Sequence, residues 1–241
     1  MPGLAVRPFG VQPGDLDVEF DAGDRAEVAT AVLAGCALAP DGAPLGNEGA
    51  RSLAIGARLG ALVSVCRLSG RRELSWVFGC TGCGEELEAE LALDALARAQ
   101  EAAEAAAPAA VEWGSTTYRP RRPTGDDLGR WRNRPPSDPE IVAVLGGPAG
   151  ESSAELLSAI EASLDAADPL VDAAVRLECP ACAEAVELPV DLEGELLALA
   201  RRDQDDLLED VAALAGAFHW SEHDILALPP RRRRRYLAMV E

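Results

Sequence analysis

The stretch Trp76-Val77-Phe78-Gly79-Cys80-Thr81-Gly82-Cys83-Gly84-Glu85-Glu86-Leu87-Glu88-Ala89-Glu90-Leu91-Ala92-Leu93 decides the fold, because the chain carries a second version of it. That version reads Val175-Arg176-Leu177-Glu178-Cys179-Pro180-Ala181-Cys182-Ala183-Glu184-Ala185-Val186-Glu187-Leu188-Pro189-Val190-Asp191-Leu192. One offset of 99 residues (179 − 80 and 182 − 83) aligns both cysteine pairs. It also sets Trp76 on Val175, Phe78 on Leu177, Leu87 on Val186, Leu91 on Val190 and Leu93 on Leu192. Apolar residues alternate after each pair, which is the period of a strand. A C-x-x-C turn with a strand on each side is half of a zinc ribbon, so the sequence predicts two halves of one site.

Zinc takes four tetrahedral ligands, and thiolate sulfur suits it. Cys80, Cys83, Cys179 and Cys182 are therefore the expected ligands of one structural Zn2+. Gly82 and Gly84 give the first turn the backbone freedom it needs. The second turn offers Pro180, Ala181 and Ala183 instead, a less typical but compatible knuckle. A redox C-x-x-C sits at a helix N-terminus, whose dipole lowers the thiol pKa; here a strand pattern follows each pair. A catalytic zinc keeps one ligand position open, which four cysteines close. Cys36 and Cys66 have no C-x-x-C partner and read as small core residues. His219 and His223 are spaced like a metal pair, but a Ser221 cap places one before a helix and the other inside it.

The chain has 241 residues, 48% of them hydrophobic and only 4% aromatic, so a core of Ala, Leu and Val is expected, which favours helices. All 22 basic residues are arginine, and the net charge is −19. That charge argues against a nucleic-acid binder, which needs a basic footprint. The local exception is the run Arg231-Arg232-Arg233-Arg234-Arg235. No signal peptide, membrane span, phosphate loop or nucleophile elbow is legible, so a soluble, cytoplasmic, non-enzymatic protein without a small-molecule substrate is expected.

The expected organisation begins with an extended segment and helices over 1–73, the first knuckle over 74–95, and an Ala-rich helix, strand and Arg/Pro-rich linker over 96–140. A helical region over 141–172, the second knuckle over 173–193 and C-terminal helices over 194–241 follow. Helices are predicted from Asp24 to Leu38, from Glu48 to Leu68, from Asp94 to Ala107 and from Ser153 to Ala167. Residues 130–139 read as a loop. The C-terminus reads as helical pieces over 193–202, 204–217 and 221–228, then a last turn. Thr124 with Asp127 and Ser221 with Asp224 are capping-box patterns. The fold class expected is thus α+β: mostly helical, with a small split zinc-ribbon β module formed by two C-x-x-C hairpins distant in sequence.

Several segments carry a family resemblance. These are Pro123-Thr124-Gly125-Asp126-Asp127-Leu128, Ala167-Asp168-Pro169-Leu170-Val171-Asp172, Leu177-Glu178-Cys179-Pro180-Ala181-Cys182 and Val190-Asp191-Leu192. The most specific is Ala217-Phe218-His219-Trp220-Ser221-Glu222-His223-Asp224-Ile225-Leu226-Ala227-Leu228-Pro229. Over about residues 115–241 the chain resembles small proteins encoded beside the baseplate genes of contractile phage tails and extracellular contractile injection systems. That group is similar to the baseplate hub and hub-assembly proteins of T-even phages. Its second knuckle carries Gly after the second Cys, where this chain has Ala183.

The resemblance implies a structural or assembly component whose partners are other baseplate or tail proteins. An aromatic flanked by arginines is a typical interface anchor. The expected partner surface is accordingly Trp220, Ile225, Leu228, Arg231, Arg232, Arg233, Arg234, Arg235 and Tyr236. Two other readings stay open: a zinc-ribbon adaptor in transcription or RNA handling, and a thiol redox protein. Salt-dependent nucleic-acid binding would mark the first, and purification without zinc the second.

Overall fold

The computed structural model describes residues 4–21, 24–148 and 153–240. Helix α1 (Arg25–Cys36) starts where Asp24 accepts a hydrogen bond from the Ala26 N–H. Helices α2 (Gly46–Ser52) and α3 (Ile55–Leu68) follow. A single helix over 48–68 was the expectation, but Leu53 and Ala54 are extended. The break has a partner: the Ile55 N–H donates to the Pro123 carbonyl, and the Gly125 N–H donates to that of Leu53. The backbone there is used for a bridge between Ala54 and Thr124 instead of a helix.

Hairpin β1 (Glu73–Gly79) and β2 (Glu86–Ala92) runs directly into helix α4 (Leu93–Glu104). A short hairpin, β3 (Val111–Trp113) with β4 (Thr116–Tyr118), leads to α5 (Gly125–Asn133) and α6 (Asp138–Val144). These two helices occupy most of the stretch expected to be a loop. Pro139 does not prevent α6, because it lies in the first turn, where its missing N–H has no helical acceptor to lose. Helix α7 (Ala154–Ala167) precedes hairpin β5 (Ala174–Glu178) and β6 (Ala185–Pro189), then α8 (Leu192–Phe218), α9 (Glu222–Ala227) and α10 (Pro230–Leu237).

Helix α8 is continuous through the expected break near 203, because the polar residues there have tertiary partners. Arg71 donates to Asp203 at 2.9 Å through Nε. The Gln204 amide donates to the carbonyls of Asp15, Leu16 and Val18. The N-terminal segment is irregular rather than simply extended, with a 3-10 turn at Pro13–Asp15. Buried Asp15 accepts from Arg7 and from the Val11 and Gln12 N–H groups. The expected extended residues 1–3 and 22–23 lie outside the described residues.

The periodicity goes well beyond the cysteine turns. Helices α3 and α7 begin 99 residues apart (154 − 55) and end 99 residues apart (167 − 68). Strands β2 and β6 begin 99 apart (185 − 86), as do α4 and α8 (192 − 93). An α-β-β-α unit is therefore present twice. The two copies do not pack alike. Helix α3 lies in the largest apolar cluster, with Leu33 of α1, Leu93 and Leu96 of α4, and Leu196 and Ala200 of α8. Helix α7 puts Leu156 and Ile160 into a second cluster with Val111, Val142 and Leu145. A third cluster joins Leu207, Val211 and Leu214 of α8 to Ile225 and Leu226 of α9. Among the described residues, no helix is long and apolar enough to cross a membrane.

Candidate metal centre

The two hairpins share one register. Phe78 faces Leu87 and Gly79 faces Glu86 in the first; Leu177 faces Val186 and Glu178 faces Ala185 in the second. Each pair in the second is the first shifted by 99. The turns are closed by equivalent hydrogen bonds. The Cys80 N–H donates to the Glu85 carbonyl at 2.7 Å, and the Cys179 N–H to that of Glu184 at 2.8 Å. The Gly84 N–H donates to the Cys80 carbonyl at 2.9 Å, and the Ala183 N–H to that of Cys179 at 2.8 Å. Gly84 and Ala183 both have positive φ. The left-handed conformation reverses the chain, so that two sulfurs three residues apart aim at one point.

The four sulfurs of Cys80, Cys83, Cys179 and Cys182 lie within 4.8 Å of one another. Cys80 Sγ is 3.7 Å from Cys182 Sγ, and Cys83 Sγ is 3.7 Å from Cys179 Sγ. These contacts cross between the hairpins and exchange under the 99-residue shift, which is a local two-fold relation. A tetrahedral ion with metal–sulfur bonds of about 2.3 Å has sulfur–sulfur edges of about 3.8 Å. A disulfide would need about 2.05 Å. The spacing thus fits a metal held by four thiolates, with each hairpin supplying two.

The site has its own apolar support. Cys80, Leu87, Cys179 and Val186 are buried together, with Phe78 and Leu177 packed against them. These are three pairs of equivalent positions. Cys80 and Cys179 face this small core, while Cys83 and Cys182 are exposed.

Electrostatics point the same way. The backbone N–H groups of Cys83 and Gly82 donate toward Cys80 Sγ and bring its pKa down to about 7. At Cys182 the Glu184 N–H also favours the thiolate, yet the neighbouring sulfurs outweigh it and the pKa rises to about 12. Four thiols this close cannot all ionise unless a cation compensates their charge. A bound cation would deprotonate all four, and four ligands would leave no open position for chemistry.

The other two cysteines stand apart. Cys36 and Cys66 are core residues, and burial pushes each thiol up to about 12. Neither histidine joins the metal group. His219 is the left-handed C-cap of α8, and His223 lies in α9.

The expected partner surface is only partly a surface. Ile225 is fully buried in the third cluster, so it holds the fold and cannot touch a partner. Arg233 is also buried, turned inward with Nε 3.5 Å from Asp210. Trp220 stacks on Phe218 at 4.8 Å and meets Tyr236 edge-on at 4.9 Å, so both rings have intramolecular partners. Leu228 is half-buried. What remains exposed is Arg231, Arg232, Arg234 and Arg235. Phe218, the centre of the aromatic cluster, was not among the expected residues; its place four residues after Leu214 on α8 is the signal for it.

Comparison with protein-family models, with curated proteins and with solved structures returns no match.

Proposed function

We propose that this chain is a non-enzymatic, zinc-stabilised structural or assembly component of the baseplate of a contractile phage-tail-like injection system. One observation carries the first half of this reading: two hairpins 99 residues apart deliver four sulfurs to one closed tetrahedral site. A closed site holds a shape and performs no reaction. Zinc is the metal that four thiolates and two short knuckles favour. The second half rests on the resemblance over residues 115–241, above all Trp220-Ser221-Glu222 followed by Ile225-Leu226 and Leu228-Pro229. The protein is then made in the cytoplasm and acts within, or on the assembly of, a tail-like particle.

Two measurements test the proposal. Elemental analysis of the purified chain is expected to return one zinc per chain; iron, or no metal, overturns the zinc assignment. Tagged protein co-expressed with its neighbouring genes is expected to bring down baseplate or tail proteins. Recovery of RNA polymerase or RNA instead would move the assignment to an adaptor, and recovery of the chain alone would remove the assembly role.

A further inference from the structure

Helix α10 presents a cluster of cations that the fold itself does not use. Of the five consecutive arginines, Arg233 is buried and turned inward, with Nε 3.5 Å from Asp210 of α8. Arg231, Arg232, Arg234 and Arg235 are exposed, and among the described residues none of the four forms an ion pair. This occurs in a chain with 41 acidic residues, where Arg7, Arg25, Arg51, Arg67, Arg71 and others have all found a carboxylate.

Helix stability explains only part of the cluster: Arg234 and Arg235 lie in the last turn, where the dipole favours cations, but the remaining two gain nothing from it. Arg231 and Arg232 sit in the first turn, at the positive end of the helix dipole. Arg231 and Arg235 are like charges four residues apart, an unfavourable spacing. Arg231, Arg232 and Arg235 surround a shallow depression floored by Pro229.

We infer that this face docks a carboxylate-rich segment of a partner protein. The inference rests on the reading of the chain as a docking component and gives that partner its chemistry. The guanidinium fork matches carboxylates in bidentate geometry. The helix has eight residues, so the face is about 12 Å long, the reach of a few acidic side chains rather than of an extended phosphate track. A nucleic acid would also bring a long polyanion against a chain of net charge −19, without an exposed aromatic platform, since Trp220 and Tyr236 are packed on Phe218.

The test uses the full, metal-loaded chain and a fluorescein-labelled peptide of ten glutamates as probe, with a single-stranded thymidine oligonucleotide alongside. The variant is Arg231→Glu with Arg232→Glu and Arg235→Glu. Its control is Arg72→Glu with Arg98→Glu and Arg202→Glu, three exposed arginines elsewhere that give the same change of net charge. The patch variant is expected to weaken peptide binding about tenfold more than the control, with the difference fading as salt rises. Equal weakening in both variants, or no peptide binding by the parent, overturns the inference. So does tighter binding of the oligonucleotide than of the peptide. A parent dimer in sedimentation that the patch variant dissolves would assign the face to a second copy of this chain and overturns it as well. Zinc content is measured in every sample, so a failure here leaves the metal staple standing, whereas a chain without metal fails at the other point.

Discussion

Gly84 and Ala183 hold the same left-handed turn position 99 residues apart (183 − 84), with φ of 77° and 60°. Glycine adopts that conformation at little steric cost, whereas a side chain strains it by about 1–2 kcal/mol. Nothing crowds the Gly84 position, so the backbone angle alone sets the effect there. Ala183→Gly is expected to raise the stability of the metal-loaded chain by about 0.5 kcal/mol, the strain relieved less the added flexibility of the unfolded chain. Gly84→Ala is expected to lower it by about 0.5 kcal/mol, the same balance with the opposite sign. Denaturant titration of the two variants checks the opposite signs.

Metal removal is expected to act on part of the molecule first. The ribbon residues Phe78, Leu87, Leu177 and Val186 form a cluster separate from the one around α3 and α8. Chelation, or Cys80→Ser, is therefore expected to expose the amides of 77–88 and 175–188 to rapid hydrogen exchange while those of α3, and of the hairpin base where Leu74 and Leu91 join its cluster, remain protected. The local loss is on the order of several kcal/mol, since binding energy at such a site is folding energy. Simultaneous loss of protection in α3 would show that one cooperative unit includes both.

Arg122 ties together the C-terminal ends of α4, which closes the first repeat unit, and α7, which opens the second. Its Nη2 donates to the carbonyls of Ala103, Ala106 and Ala167, each at 3.0 Å, and its Nε donates to Asp168 at 2.9 Å. Asp168 is 5% exposed, and burial pushes its pKa up even with Arg122 beside it. Arg122→Ala leaves this carboxylate buried without its cation, at an expected cost of about 3 kcal/mol. The double variant Arg122→Ala, Asp168→Ala is expected to lose less than the two single variants together, which a double-mutant cycle measures.

Asp127 closes the cap of α5 with no exposed side-chain surface. Burial would raise its pKa, but the Arg121 guanidinium at 2.6 Å and the Thr124 N–H at 2.9 Å outweigh that and hold it at about 2. The folded value lies below the unfolded one, so the carboxylate stabilises fully above about pH 4 and loses its contribution as pH falls toward 2. Asp127→Asn is expected to cost about 2 kcal/mol at neutral pH. The gap between parent and variant is expected to close between about pH 4 and pH 2; a gap that persists at pH 2 would assign the effect to packing instead.

The metal site was legible because its signals are local: cysteine spacing, alternation and one offset shared by both. The matching helices were not. Helix α3 is central and buries Leu59, Ala61, Leu62, Val63 and Val65 around most of its girth, whereas α7 buries one stripe through Leu156, Ile160, Ser163 and Ala167. Different surroundings selected different residues at equivalent positions, so the backbone repeats where the side chains do not. The break at Leu53 and the continuity of α8 at Asp203 were hidden for a related reason. Each depends on a partner more than 65 positions away, Pro123 in one case and Arg71 in the other. Local propensity carries no trace of such partners.

The crossing contacts Cys80–Cys182 and Cys83–Cys179 reproduce inside one chain the geometry of two subunits clasping a shared ion. Where separate subunits meet across a metal, dilution drives them apart and releases it. Here both cysteine pairs are tethered to the same backbone, so each always faces the other at high effective concentration. An ion held there would therefore not be lost through scarcity of the protein, because closing the clasp needs no second molecule.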